Sequence, residues 1–243
     1  MDKPKKKFYD LDIQSDLSSG ESSVEEIIEF AEKLGFKGIA ISDYAVKTKD
    51  VRNLKEKISE VDTELEVYPG VKIKAGDVKN MKDKIRMFRN KVHVVIVSGG
   101  SVEINRAACK DPRVDILAHP EKNRKDSGID HVIANLASEN NVALQINVKQ
   151  LLEVEGKTRS HVLSHQRRNF ELADKYGASL ICSSGASSIY EMKGPRELAA
   201  FPHIHGMGIS EALETVAKVP RNIIQNAEKR NSPDFVGPGV EEE

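Results

Sequence analysis

Apolar runs of strand length alternate with helical stripes along nearly the whole chain, and this alternation constrains the fold more than any other feature. Phe8 to Ile13 has the pattern of a strand and is followed by a polar turn, Ser15 to Gly20. Ser22 or Ser23 can then cap a helix, with Glu25 and Glu26 in the first turn where the dipole favours acid. Its apolar stripe is Val24, Ile27, Ile28, Ala31 and Leu34; Gly35 ends it, and Gly38 to Ser42 begins the next strand. The unit recurs as a helix from His161 to Tyr176, Gly177, and a strand from Ser179 to Cys182. Between these lie the apolar runs Leu65 to Ala75, Val92 to Val97, Val114 to Ala118 and Ala143 to Val148, with a further helix over Ile129 to Ser138. Such strands between helices describe a parallel sheet covered on both faces. About seven units in one run predict an α/β barrel rather than an open doubly wound sheet. No Gly-rich nucleotide turn follows the first strand.

The expected organisation is a basic N-terminal arm at 1–7, one barrel domain at 8–230 and a flexible acidic tail at 231–243. With 39% apolar residues and no Trp, the core must rest on Ile, Val, Leu and Ala, which suffices for one domain of this size. The 37 Lys and Arg offset 38 acidic residues, so a uniformly basic coat is excluded, although a local basic patch is not. Only Cys109 and Cys182 occur, far apart, which excludes a disulfide framework and a zinc knuckle. No apolar run approaches the roughly 20 residues of a membrane span, and residues 1–7 carry no apolar segment. A cytoplasmic chain without membrane contact is expected.

In a parallel barrel, chemistry sits where the loops after the strands converge. Those positions read Asp12 and Gln14, Ser42-Asp43-Tyr44, Gly70-Val71-Lys72, Ser98-Gly99-Gly100, His119-Pro120-Glu121, Gln145-Ile146-Asn147 and Ser183-Ser184-Gly185-Ala186. The rim is polar but poor in metal ligands, with one imidazole and few carboxylates. A catalytic zinc needs roughly three protein ligands and an open position, so no metal site and no catalytic residue is expected. Lys72 would repel a cation. Neither a G-x-S-x-G elbow nor a credible Cys–His pair offers a metal-free alternative. His161 and His165 have the i, i+4 spacing of a zinc helix but lack a third ligand, and are expected on the surface.

The rim resembles the PHP family of metal-dependent phosphoesterases. That family opens with D-L-H-x-H-S-x-x-S-x-G, where this chain has Asp10-Leu11-Asp12-Ile13-Gln14-Ser15-Asp16-Leu17-Ser18-Ser19-Gly20. Its T-D-H, G-x-E and S-D-A-H become Ser42-Asp43-Tyr44, Gly70-Val71-Lys72 and Ser183-Ser184-Gly185-Ala186; the H-P step alone, His119-Pro120, keeps its ligand. The resemblance implies a PHP-like (β/α) barrel, related to the TIM barrel, with a degenerate metal site. A closer resemblance, over about residues 8–230, is to the archaeal and eukaryotic ribonuclease P protein component 3 family. It is carried by Phe8 to Leu11, Lys33 to Ala40, Val114 to Pro120, Asn169 to Ala178, Ile181 to Ala186 and Gly206 to Ile224. It implies a non-catalytic subunit of the ribonucleoprotein that trims the 5′ leader from precursor tRNA. The RNA would be the catalyst, Mg2+ would accompany that RNA rather than this chain, and component 2 and other subunits would be protein partners.

A near-neutral subunit must hold RNA through a patch, because charges beyond about 8 Å are screened at physiological salt. Lys122, Arg124 and Lys125 follow His119-Pro120, Lys149 follows the sixth strand, and Lys193 and Arg196 end the loop after Ser183-Ser184. Arg167 and Arg168 sit on the helix that begins near Ser160. These eight residues, with His119 as a hydrogen-bonding group beside them, are the expected RNA-binding set. A solvated face balancing nearby acid is the plain alternative for each cluster. The densest basic stretch, Lys79 to Lys91, is expected on a helix at the end of the barrel opposite the rim. In a closed barrel sheet edges are absent, so helix faces are the default partner surface. Two other functions remain open at this point: a phosphoesterase with a degenerate site, and a pure protein-interaction scaffold.

Overall fold

The capping residues set the first βα unit. In the computed structural model, which describes residues 7–231, 235–237 and 240–241, β1 (Tyr9–Ile13) leads to α1 (Val24–Leu34). Ser23 Oγ accepts from the Glu26 N–H at 3.2 Å and the Glu26 carboxylate accepts from the Ser23 N–H at 2.8 Å, a reciprocal cap. Gly35 ends α1 at φ +81°, a left-handed conformation in which its N–H bonds back into the last turn. Val24, Ile27, Ile28 and Ala31 are buried against the sheet, the stripe expected from their spacing.

The unit repeats through β2 (Gly38–Asp43), α2 (Thr48–Ser59), β3 (Glu66–Lys74), α3 (Val78–Phe88), β4 (Val94–Ser98), α4 (Val102–Cys109), β5 (Ile116–Ala118), α5 (His131–Glu139) and β6 (Ala143–Asn147). The short α6 (Val148–Leu152) and long α7 (Gly156–Tyr176) precede β7 (Leu180–Ser183). Then come α8 (Pro195–Ile204), α9 (Ile209–Glu214) and α10 (Lys218–Asn231). Strands β1 to β7 are hydrogen-bonded in sequence order, every pair parallel. Leu11, Ala40, Val94, Ile96, Ile116 and Ile181 fill the interior, and a larger apolar layer lies between strands and helices. Ile223 and Ile224 of α10 pack on the interior cluster.

The barrel is nearly closed, and no ladder joins β1 to β7. Other groups bridge that seam. The Val216 carbonyl accepts from the Tyr9 N–H (2.8 Å), and the Thr215 carbonyl accepts from the Cys182 N–H (3.2 Å). Higher up, the Asp10 carboxylate accepts from the Ser184 N–H at 3.2 Å, and Gln14 N–H donates to the Ala186 carbonyl at 2.8 Å. The seam is covered rather than exposed, by means the apolar pattern does not show.

Two expectations need correction. The basic stretch at 79–91 does not lie wholly opposite the rim, because α3 runs from the rim end of β3 to the far end of β4. Within it, Arg89 is not a surface cation. It is buried, donates to Asp115 Oδ2 at 2.5 Å and to the carbonyls of Arg113 and His93, and so clamps the turns around β4 and β5. Arg230 of α10 reaches the other Asp115 oxygen at 2.8 Å, tying the last helix to the same carboxylate. The N-terminal arm lies outside the described residues except for Lys7. Within the tail, Phe235–Gly237 (β8) pairs antiparallel with Val240–Glu241 (β9); its other residues beyond Asn231 lie outside the described set.

Candidate functional site: the barrel mouth

Lys72 sits within β3 and points to the mouth of the barrel, where it is 2% exposed. Its ammonium donates to Asp12 Oδ2 at 2.7 Å and Oδ1 at 3.0 Å, and Asp12 is fully buried. Gln145 Nε2 donates to the same Asp12 oxygen at 2.8 Å, and Asn147 Nδ2 lies 3.4 Å from it. Burial opposes the charged carboxylate, but the Lys72 charge and these donors outweigh it and hold Asp12 below the usual carboxylate range. The result is a saturated buried ion pair at the centre of the mouth.

The residues that keep the phosphoesterase frame have structural work to do. Asp43 accepts from the Ser15 N–H at 2.8 Å, from Ser15 Oγ at 2.5 Å and from Ser18 Oγ at 2.7 Å, fixing the first loop. A Cβ on Gly20 would lie 2.3 Å from the Gln14 carbonyl oxygen, and one on Gly70 would lie 2.2 Å from Ser42 Oγ, which donates to the Leu11 carbonyl. The frame is therefore explained by loop and strand packing. The positions that held metal in the resembled family are, His119 apart, the ones that differ.

His119 takes φ +50° at the end of β5, and its Nδ1 is 3.1 Å from Gln150 Oε1. Burial, then the Lys72 charge, push its pKa down to about 4, so the imidazole is neutral at physiological pH. With Gln150 Oε1 as acceptor, Nδ1 carries the proton and Nε2 presents a lone pair. A pocket of about 270 Å³ is lined by Gln14, Tyr44, Lys72, His119, Asn147 and Gln150, with Lys122 and Lys149 also on its wall.

The fold of the resembled phosphoesterases implies a metal here, and the residues do not fit one. Where ligands would converge, only His119 is kept; the other positions hold Asp12, Gln14, Tyr44, Lys72, Ser184 and Ala186, and the Lys72 ammonium already occupies the Asp12 carboxylate. Among the described residues, no three His, Cys, Asp or Glu side chains are grouped to hold an ion. His161 and His165 stack loosely at 6.4 Å between centroids, and no third ligand joins them.

The nine residues predicted to meet RNA fall into two sets. Lys122 and Lys125 are exposed on the loop after β5, and Arg167, Arg168 and Arg196 are exposed on α7 and α8. Gln166 donates to the Asn147 carbonyl (3.2 Å) and Asn169 to the Ser127 carbonyl (3.0 Å), which seats the middle of α7 against that loop. The others are engaged. Arg124 makes two bonds to Asp126 at 2.7 and 2.8 Å, and Lys149 holds Ser187, Glu191 and Glu153. Lys193 donates to backbone carbonyls around Glu191, and His119 is part of the pocket wall. Arg167 and Arg168 share Glu171 at 3.4 and 3.6 Å, exposed pairs that exchange readily with solvent. The sequence placed Gln14, Tyr44 and Asn147 on the rim without giving them a binding role and missed Gln150; that Gln14 and Tyr44 stand at family ligand positions was the signal for the first two.

Comparison with known proteins bears on the family and the fold. Ribonuclease P protein component 3 of Methanosarcina barkeri is 37% identical over 98% of this chain and 96% of its own length. A chain in the cryo-EM structure of archaeal ribonuclease P with mature tRNA superposes with a TM-score of 0.76 at 31% identity, covering 95% of this chain and 100% of that one. The histidinol phosphate phosphatase of Lactococcus lactis, solved with zinc, L-histidinol and phosphate, has a TM-score of 0.53 at 11% identity over 91% of this chain and 94% of its own; that likeness is one of fold alone. The family model described as RNase P subunit p30 matches residues 7–232, and the chain belongs to that family.

Proposed function

We propose that this protein is the component 3 subunit of ribonuclease P, which supports the catalytic RNA in removing the 5′ leader of precursor tRNA and carries no active site of its own. The reading rests on the likeness, along nearly the whole chain, to a chain of archaeal ribonuclease P with mature tRNA. The Asp12–Lys72 pair supports the second half, because an internal ammonium stands where a phosphoesterase would place its cation. Mg2+ would then belong to the RNA, and component 2 would be a protein partner. The RNA surface on this reading is the exposed set Lys122, Lys125, Arg167, Arg168 and Arg196, with Arg124 joining if phosphate displaces Asp126.

The test is filter binding of ribonuclease P RNA across a salt series, beside multiple-turnover cleavage by the reconstituted particle. Each phosphate contact adds roughly −0.7 to −0.9 to the slope of log affinity against log salt. Replacing Lys122, Lys125, Arg167 and Arg168 by Ala should flatten the slope by about 3 and weaken binding while leaving the fold intact. Parent slope and parent cleavage in this variant would reject the surface. A particle that cleaves equally well without the protein would reject the function.

A further inference from the structure

We propose that the pocket at the barrel mouth receives one unpaired nucleobase, stacked against Tyr44 and held at its edge by Gln14 and His119, with the attached phosphate on Lys122. The proposal rests on the RNA-binding reading above and deepens it. It starts from polar atoms around the pocket that no other group among the described residues engages, beside a Tyr44 ring whose centroid lies 6.0 Å from the Lys72 ammonium. Gln14 is 7% exposed; its Oε1 accepts from Ser19 Oγ, while no group among the described residues takes a hydrogen bond from its Nε2. Tyr44 Oη, His119 Nε2 and Lys122 Nζ are likewise without a hydrogen-bond partner among the described residues. A nearly buried amide with free N–H groups inside a preformed pocket awaits an acceptor.

Charge decides the kind of ligand. Lys72 is neutralised by Asp12, and Lys149 is held by Glu153 and Glu191, leaving Lys122 as the cation on the wall with no ion-pair partner among the described residues. Three lysines against three carboxylates make this a near-neutral pocket, which is poor for a phosphate dianion. The His119 ring, held through Nδ1 by Gln150, leaves Nε2 for the edge of a ligand. An electroneutral cavity with an aromatic ring, amide donors and one acceptor suits a neutral heteroaromatic ligand. Unpaired bases are recognised in this way, by stacking on aromatic rings and by hydrogen bonds to their polar edges. The volume of about 270 Å³ is sufficient for one base and excludes a duplex.

A nucleotide could come from an RNA strand or from solution, and the experiment separates the two. The full-length protein would be titrated with a fluorescent single-stranded pentanucleotide, with the same sequence as a blunt duplex, and with each nucleoside monophosphate. The variants are Tyr44→Ala, Tyr44→Phe and Gln14→Leu, each checked for fold by its melting curve. Expected are single-strand binding that Tyr44→Ala weakens about tenfold and Tyr44→Phe largely restores, and no gain for the duplex. Gln14→Leu should weaken binding and change the preference among bases. Monophosphates binding as tightly as the pentanucleotide would assign the pocket to free nucleotide. Parent affinity in Tyr44→Ala would overturn the proposal, and if Gln14→Leu fails to fold, the Tyr44 pair still decides it. Because the exposed basic set is untouched in these variants, parent binding here with loss in the Lys/Arg variant would sink the pocket and spare the RNA reading.

Discussion

Lys72 Nζ lies 2.7 Å from one oxygen of Asp12 and 3.0 Å from the other, with both side chains sealed inside the barrel mouth. Removing one partner of such a pair strands an uncompensated charge, which costs on the order of 3–5 kcal/mol. Lys72→Met should therefore destabilise the protein by about that amount in urea unfolding. Lys72→Met combined with Asp12→Leu should recover most of the loss, since an apolar pair of similar volume needs no countercharge. Additive losses in the double variant would show that the two residues act independently.

Asp10 is the second buried carboxylate of the mouth, and its environment drives it the other way. Burial, against the Ser184 and Asp12 hydrogen bonds, raises its pKa to about 7. An acid whose folded pKa exceeds its unfolded value binds its proton more tightly in the folded state. Its contribution is fully present below about pH 4 and is lost as pH rises through about 7. Asp10→Asn keeps an acceptor for the Ser184 N–H and cannot ionise. Its melting temperature relative to the parent should climb between pH 4 and pH 7 and level off above that. A difference that does not change across this range would place the Asp10 pKa near its ordinary value.

These two carboxylates also mark where the sequence stops being informative. The βα alternation, a cap at Ser22 or Ser23 and the helix-ending Gly35 and Gly177 were readable because each follows from local chemistry at a fixed spacing; the structure selects Ser23 and gives both glycines positive φ. The loss of metal ligands was readable because it concerns residue identity at frame positions. The Lys72–Asp12 pair joins residues 60 apart, and only the register of β1, β2 and β3 brings them together. Arg89 looked like one more cation in a basic run, yet it lies on the inner side of the turn after α3, where Asp115 is within reach. The seam at Thr215–Val216 is a backbone feature with no side-chain signature. Helices α8 and α9 were not separated in advance, because α8 carries Pro195 and Pro202 and α9 has only six residues, too few to show a helical period.

Gly35 and Gly177 allow a test of conformational cost with little interference from packing. Both have positive φ, +81° and +71°; a Cβ on Gly35 would meet nothing within 4 Å, and one on Gly177 only Ser138 Oγ at 3.5 Å. Valine at either site should cost about 1–2 kcal/mol from backbone strain alone. Gly128 has a similar φ, but its Cβ would fall 1.9 Å from the Pro120 carbonyl oxygen, so Gly128→Val should be the most damaging of the three. Equal losses at all three sites, read from unfolding curves, would mean that the backbone around Gly128 yields to the added atoms.

The last prediction concerns metal. A hydrolytic centre of the resembled kind needs several ligands at once, and the described residues at those positions offer one retained imidazole, His119, beside Asp12 bound to Lys72, an amide, a phenol, a serine and an alanine. After dialysis against a weak chelator the purified protein is expected to hold well below one equivalent of zinc or manganese by elemental analysis. Gln14→His adds an imidazole on the pocket wall, but it leaves the Lys72 ammonium beside it, so neither metal content nor phosphodiester hydrolysis should rise. The ammonium is the stronger barrier, because it already holds both oxygens of the one carboxylate that an entering ion could take. Near-stoichiometric zinc in the parent would require Asp12 to release Lys72, and with it the account of the mouth given above would fall.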